Sequence, residues 1–178
     1  RPSLPYDPKH LAIVAAVLKD DLHPKQIGPY EILSLIGEGG MGIVRSARQV
    51  CLGRDVAVKS VRPDVPPEQS SLALLREAWV TGTLEHPNVV PVYDVHLDDA
   101  DRPQIVLKKI AGSSWADLLL DDGEVRRRFS VQDALEWHLR TWLQVSSAVA
   151  FAHSRGIIHR DIKPENVMIS EDGRIKIG

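Results

Sequence analysis

The feature that most constrains how this chain folds is a change of period at Gly112. From Tyr30 up to that point, short runs rich in aliphatic and β-branched residues alternate with turn residues: "YEILSLIG", "GIVRSARQV" and "DVAVKSV", then 89–96 and 103–109 around the polar turn "LDDADR". Runs of this length and composition, bounded by glycine, proline and aspartate, are expected to be strands. Within this half only "EQSSLALLREAWVTGTL", between the breaker "RPDVPP" and the stop "HPN", has helical character. Beyond Gly112 helices take over. Ser114 with Asp117, and Ser130 with Asp133, each fit the start signature in which a hydroxyl and a carboxylate cap opposite backbone N–H groups. The second pair is expected to open a helix from 131 to about 153, ended by Gly156, with Leu135, Leu139, Trp142, Ser146 and Val149 on one apolar face. Short strands then flank the turn "SEDG". The expected class is α+β: a five-strand, one-helix unit followed by a mainly helical one, without internal repeats.

Composition narrows the function classes. The 178 residues suffice for one domain with a sizeable core or for two small lobes. A net charge of -2 gives no reason to expect nucleic acid or an anionic membrane as partner. Cys51 is the single cysteine, so no internal disulfide is possible, and it reads as a small apolar residue. The seven histidines have no His-x-x-x-His spacing, which argues against a structural zinc site. Residues 1–29 hold five prolines and read mostly as linker. Their apolar run "LAIVAAVL" is too short to span a bilayer, and no secretory signal is visible.

Three constellations carry chemistry. "GEGGMGIV" places Gly37, Gly39 and Gly42 in a G-x-G-x-x-G-x-V arrangement. Glycines let a backbone bend sharply and bring its N–H groups to an anion such as a phosphate. A strand rather than a helix follows them, which excludes a dinucleotide fold. Lys59 lies in the apolar strand "VAVK" and needs an anionic partner there. Glu77 shares a helix face with Ala73, Leu74 and Thr81 and so points inward. The two are expected to form an ion pair that holds phosphates. Finally, "HRDIKPEN" gathers Asp161, Lys163 and Asn166 on a loop between helix and strand. Asp161 is expected to be ionised at neutral pH and able to take a hydroxyl proton. Lys163 can neutralise a phosphate, and Asn166 offers a carbonyl oxygen to a hard cation.

Glycine loop, "VAVK", the glutamate of "REA", "HPN" and "HRDIKPEN", in this order, resemble the protein kinase family, specifically its serine/threonine branch. The resemblance covers about Tyr30 to the end of the chain, and phrases such as "VTGTLEHPNVVPVYDV" and "SSWADLL" look most like the eukaryotic-type kinases of bacteria. It implies a bilobal fold, with residues 1–29 as an extension, an N-lobe over about 30–109 and a partial C-lobe over about 113–178. The implied reaction is transfer of the ATP γ-phosphoryl group to serine or threonine hydroxyls of a protein, with Mg²⁺ or Mn²⁺. The expected location is cytoplasmic, on a parent protein that could be membrane-anchored. The loop Gly37, Glu38, Gly39, Gly40, Met41 and Gly42 would cover the ATP phosphates, and Lys59 would pair with them and with Glu77. Val44, Ala57 and Met168 would sandwich the adenine, Leu107 would guard the back of the pocket, and Lys108 to Ile110 would form the hinge. Asp161 matches the catalytic aspartate, Lys163 the residue on the transferring phosphate, Asn166 a metal ligand, and Arg160 the arginine that holds a phosphorylated activation loop.

Two departures stand out. Lys108 and Lys109 occupy the hinge where many relatives carry an acidic residue. The terminal "IKIG" matches the strand that leads directly into the family's metal-binding aspartate, so the chain is expected to be a fragment that stops one residue short of that second ligand. A small-molecule phosphotransferase is disfavoured by Arg160 and Lys163. A non-catalytic relative serving as nucleotide sensor or scaffold is disfavoured by the intact motifs.

Overall fold

The computed structural model describes residues 30–178 apart from Gly40, Met41 and Asp99. The expected linker with its apolar run, two loop residues of the glycine motif and the side chain of Cys51 therefore lie outside the described residues. The described chain forms two compact units, one of 30–83 with Pro91–Lys109, the other of Leu84–Val90 with Ile110–Gly178. Its class is α+β.

The first unit is a five-stranded antiparallel sheet with one helix. Strands β1 (Tyr30–Gly39), β2 (Gly42–Gln49), β3 (Arg54–Ser60), β4 (Val92–Leu97) and β5 (Pro103–Lys108) lie in the order β1-β2-β3-β5-β4. The turn expected at "CLGRD" is a short 3-10 helix, Val50–Leu52, closed by Gly53 at φ 61, whose N–H reaches the Val50 carbonyl at 3.2 Å. Register sorts the side chains onto two faces. Val44 opposes Lys59, Ser46 opposes Ala57, Ala57 opposes Leu107 and Lys59 opposes Ile105. These residues therefore share one face, because cross-strand partners point the same way. On that face Ile105, with Leu107, Val92 and Val95, packs against Val61 and against Leu74 and Ala78 of helix α1 (Pro67–Gly82). Ala47, Val56, Val58 and Val106 form the core of the opposite face, covered by Tyr30.

In the second unit, strands β6 (Gly112–Ser114), β7 (Val167–Ser170) and β8 (Ile175–Ile177) form a small antiparallel sheet. Helices α2 (Trp115–Leu119), α3 (Asp122–Phe129) and α4 (Ala134–Ser154) accompany it. Trp115, Leu118, Val125, Val145, Ala148, Val167, Ile169, Ile175 and Ile177 make one apolar core. The Ser114–Asp117 capping box at the start of α2 is present as expected.

Four local expectations need correction. Ser130 does not cap the long helix. It ends α3 in the left-handed conformation at φ 55, and Asp133 caps α4 by accepting the Glu136 N–H at 3.1 Å. An aspartate three residues before a free N–H does the same work as a serine, so the sequence offered two starts. The buried face of α4 is also not the expected one: Ala134, Thr141, Val145, Ala148 and Ala152 are buried, while Leu135, Leu139 and Trp142 are more than half exposed. Small residues let the helix approach the core closely, and apolar residues wrap so far around this helix that periodicity alone admits either side. The expected strand over 89–96 is split. Val89 bridges to Ile177, and β4 starts only after Pro91, which has no N–H to donate. Finally β6 went unforeseen, since "GSS" has no strand pattern. Gly112 is required there, because a Cβ at that position would stand 1.9 Å from the Ile169 carbonyl oxygen.

Among the described residues no helix is long and apolar enough to cross a membrane.

Candidate active site

The glycine motif lies at the hairpin between β1 and β2. Gly37 opposes Val44, Glu38 opposes Ile43 and Gly39 opposes Gly42. Gly42 has φ 135, and a Cβ there would stand 2.4 Å from the Ser60 carbonyl oxygen, so the protein itself demands glycine. Gly37 and Gly39 differ. A Cβ at Gly37 would meet only ordinary contact with Val44, and at Gly39 nothing described lies within 4 Å. Among the described residues nothing around these two positions demands glycine.

Lys59 stands on central strand β3 with its side chain 13% exposed. Its ammonium donates to both carboxylate oxygens of Glu77, at 2.6 and 2.7 Å. The pair joins sheet to helix: β3 carries one partner, and the inward face of α1, as the spacing suggested, carries the other. Such charge-assisted bonds in a partly desolvated place are stronger than exposed ones. Val44, Ala57 and Leu107 lie on the same sheet face as Lys59 by register. Ala57 is buried, and Val44 and Leu107 are partly accessible.

The two lysines that depart from the family pattern are accommodated separately. Lys108 opposes Val56, and its N–H is bonded to the Pro91 carbonyl at 3.0 Å. Lys109 reaches Asp55 at 3.4 Å, and Asp55 is also held by Arg48 at 2.8 Å. Arg48 above all, and Lys109 with it, keeps the Asp55 carboxyl below the usual carboxylate range. The Lys109 charge is therefore offset by an aspartate distant in sequence. Ile110 begins the other unit.

In that unit the loop before β7 carries the second group of candidates. Asn166 closes a 3-10 turn over Pro164–Asn166, and its Nδ2 donates to the Asp161 carbonyl at 2.8 Å and to Asp161 Oδ2 at 2.9 Å. Lys163 Nζ stands 3.0 Å from the same carboxylate oxygen. The bond from Lys163, then that from Asn166, holds the Asp161 carboxyl below its ordinary value. Asn166 thus spends its amide N–H groups on Asp161, and its Oδ1 accepts no hydrogen bond among the described residues. Arg160 is exposed and left-handed at φ 68, which turns the chain just before Asp161. Met168 sits on β7 between Val167 and Ile169, both buried, and is itself partly accessible on the other face.

Two positioning residues carried no role in the sequence reading. His159 Nδ1 accepts the Asp161 N–H at 3.3 Å, which leaves Nε2 to donate to the Gly178 carbonyl at 3.2 Å. The imidazole thereby ties the Asp161 backbone to the end of β8. Asn88, read only as part of a helix stop, donates to the Ile175 carbonyl at 3.0 Å, and its own carbonyl accepts the Ile177 N–H at 2.7 Å. It anchors β8 beside the loop. The signal for both was their presence in the motifs, which spacing alone did not convert into contacts.

The family model described as "Protein kinase domain" matches residues 30–178. Serine/threonine-protein kinase PknD of Protochlamydia amoebophila is 33% identical over 159 residues, covering 86% of this chain and 16% of its own length. Probable serine/threonine-protein kinase PknB of Bifidobacterium longum is 38% identical over 159 residues, covering 84% and 22%. Serine/threonine-protein kinase PrkC of Bacillus subtilis is 35% identical over 151 residues, again covering 84% and 22%. The chain thus spans less than a quarter of the length of these curated relatives. With glycine hairpin, Lys59–Glu77 pair and Asp161 loop in the family's order, and the family model matched from β1 to β8, the chain belongs to the protein kinase family.

Proposed function

We propose that residues 30–178 are kinase-domain sequence of an ATP-dependent protein serine/threonine kinase, with lobes over about 30–109 and 113–178. The observation that carries this reading is the Lys59–Glu77 pair, closed at 2.6 and 2.7 Å on the sheet face that also bears Val44, Ala57 and Leu107. An ammonium fixed from behind by a carboxylate still offers positive charge to a phosphate and cannot swing away. On this reading Lys59 orients the α- and β-phosphates, and the backbone at Gly37, Glu38, Gly39 and Gly42 lies over them. Val44, Ala57 and Met168 contact the adenine, Leu107 limits the pocket's depth, and the backbone of Lys108 to Ile110 binds the adenine edge.

Asp161 is the group that receives the acceptor hydroxyl. Held ionised by Lys163 and Asn166, it is a ready hydrogen-bond acceptor that orients the Ser or Thr oxygen and takes its proton. The bond that forms joins that oxygen to the γ-phosphorus, and the bond to the β-phosphate bridging oxygen breaks, leaving ADP. Lys163 lies close enough to Asp161 to neutralise the group in transfer. Asn166 Oδ1 fits a hard cation, being an oxygen without a competing hydrogen bond. Mg²⁺ or Mn²⁺ bound there would shield the charge of the phosphates. Arg160, exposed beside this loop, is suited to hold a phosphorylated loop segment. The reaction is placed in the cytoplasm, where ATP is supplied.

The test is to incubate the full-length protein with γ-labelled ATP, Mg²⁺ and a generic protein acceptor. Label is expected on serine and threonine. Chiefly phosphotyrosine would overturn the branch, and the absence of transfer with retained ATP binding would favour a nucleotide-sensing role.

A further inference from the structure

Arg62 follows β3, opens the breaker "RPDVPP" and belongs to none of the three chemical constellations above. With Gly42, Val61, Leu74 and Glu77 it lines a cavity of about 350 Å³ beside the glycine hairpin. Its guanidinium grips Asp64 in a fork, Nε to Oδ1 at 2.9 Å and Nη2 to Oδ2 at 2.8 Å. The fork fixes the plane of the group and leaves Nη1 facing Glu38, whose Oε1 is 3.5 Å away. Glu38 is the residue between Gly37 and Gly39, so it places a carboxylate in the turn whose backbone is to approach phosphates. A bare carboxylate there repels a polyanion. Arg62 is the cation that faces it, and at 33% exposure it is only partly screened by solvent.

We propose that Arg62 is a nucleotide-positioning residue that acts through Glu38: even while it holds Asp64 it lowers the negative field at the glycine turn, so that the turn accepts a nucleoside triphosphate. The proposal rests on the ATP-binding reading of this hairpin and adds a requirement specific to the phosphates. Arg62 need not touch the nucleotide. Its contribution is to the field at the turn, of the size of a partly exposed ion pair, and it weakens as salt rises.

The full-length protein, titrated with ATP and separately with adenosine, tests this. Arg62→Gln should weaken ATP about three- to fivefold at low ionic strength and leave adenosine unchanged. Adding Glu38→Gln should restore ATP affinity, because the carboxylate within the glycine turn is then gone and the net charge of the group returns to that of the parent. The gap between Arg62→Gln and the parent should close at about 0.5 M salt. Equal losses for ATP and adenosine would overturn the proposal in favour of a packing role. Unchanged ATP affinity in Arg62→Gln, with Lys59→Met still losing it, would overturn the proposal alone. If Lys59→Met also binds ATP normally, the nucleotide reading of the hairpin falls and the proposal falls with it.

Discussion

On the proposed function Lys59 and Asp161 are both charges that phosphoryl transfer needs, and the protein holds them in opposite ways. Lys59 is nearly covered, at 13% exposure, and its partner Glu77 comes from another element 18 residues on. The Asp161 side chain is 34% exposed and sits in a loop, and its partners Lys163 and Asn166 lie within five residues of it. The first arrangement depends on sheet and helix being packed against each other. The second is local, written into one stretch of eight residues. A binding cation gains from rigidity, since it acts by staying in place. A proton acceptor must be open to the incoming hydroxyl, and local hydrogen bonds hold it without covering it.

The comparison is sharpest if the two sites fail differently. Asp161→Asn should have the largest effect: phosphoryl transfer by the full-length protein falls about 100- to 10,000-fold, while ATP affinity is unchanged. Single-turnover transfer measured beside an ATP titration gives both numbers. A parallel loss of ATP affinity would show that the loop binds nucleotide as well as positioning the acceptor, and would break the division of labour.

Lys59→Met should have a smaller effect on turnover but lower ATP affinity tenfold or more. It should also cost stability, roughly 1 kcal/mol, because Glu77 loses the cation it is paired with yet remains partly accessible to water. Thermal unfolding measures that loss. Adding Glu77→Gln should return the stability and not the ATP affinity. Recovery of both would mean that the pair is a structural brace alone.

The smallest effect concerns pH. His86 is partly buried, and burial first, then the Lys176 charge, pushes its imidazole below the ordinary value of 6.5. A group whose value is depressed on folding contributes stability that is full above its unfolded value and is lost as pH falls through the folded one. Stability should therefore decline as pH drops below about 6.5. His96 of the other unit is shifted the same way, mainly by burial. Asp161, also depressed, loses its contribution only below the ordinary carboxylate range, so it is silent between pH 7 and 5. His86→Asn keeps an acceptor for the Asn88 N–H, bonded at 3.1 Å in the parent, and removes the titration. It should flatten part of the slope in unfolding temperature over pH 7 to 5. An unaltered slope would assign the whole effect to His96 or to other groups.

Much of the candidate site is readable in sequence because its chemistry is either local or periodic. The Asp161–Lys163–Asn166 cluster follows from spacing within a loop. Glu77 follows from a helix face, and Lys59 from a charge that an apolar strand cannot leave unpaired. The contacts of Lys109 with Asp55 and of Arg62 with Glu38 were not readable, since they join residues 54 and 24 positions apart across surfaces that the pattern does not specify. Ser46 makes the same point in reverse. Strand alternation places it beside Ala57, but only the packed sheet leaves its hydroxyl buried without a hydrogen-bond partner among the described residues.

What the sequence determined by itself is the kind and order of elements: five strands and a helix, then helices with short strands, and which residues share each face. Period and turn chemistry act over a few residues, so they survive without knowledge of the partner. Tertiary structure alone decided which of two apolar sides of α4 is buried, that Ser130 would turn α3 rather than cap α4, and that "GSS" would be a strand beside β7. Each of those outcomes depends on a neighbour's shape. The small side chains Ala148 and Ala152 are buried where bulkier Leu135 and Leu139 are not, and Gly112 meets the Ile169 carbonyl where no Cβ fits. Burial and close approach are properties of two surfaces at once, and the period of one segment describes only its own.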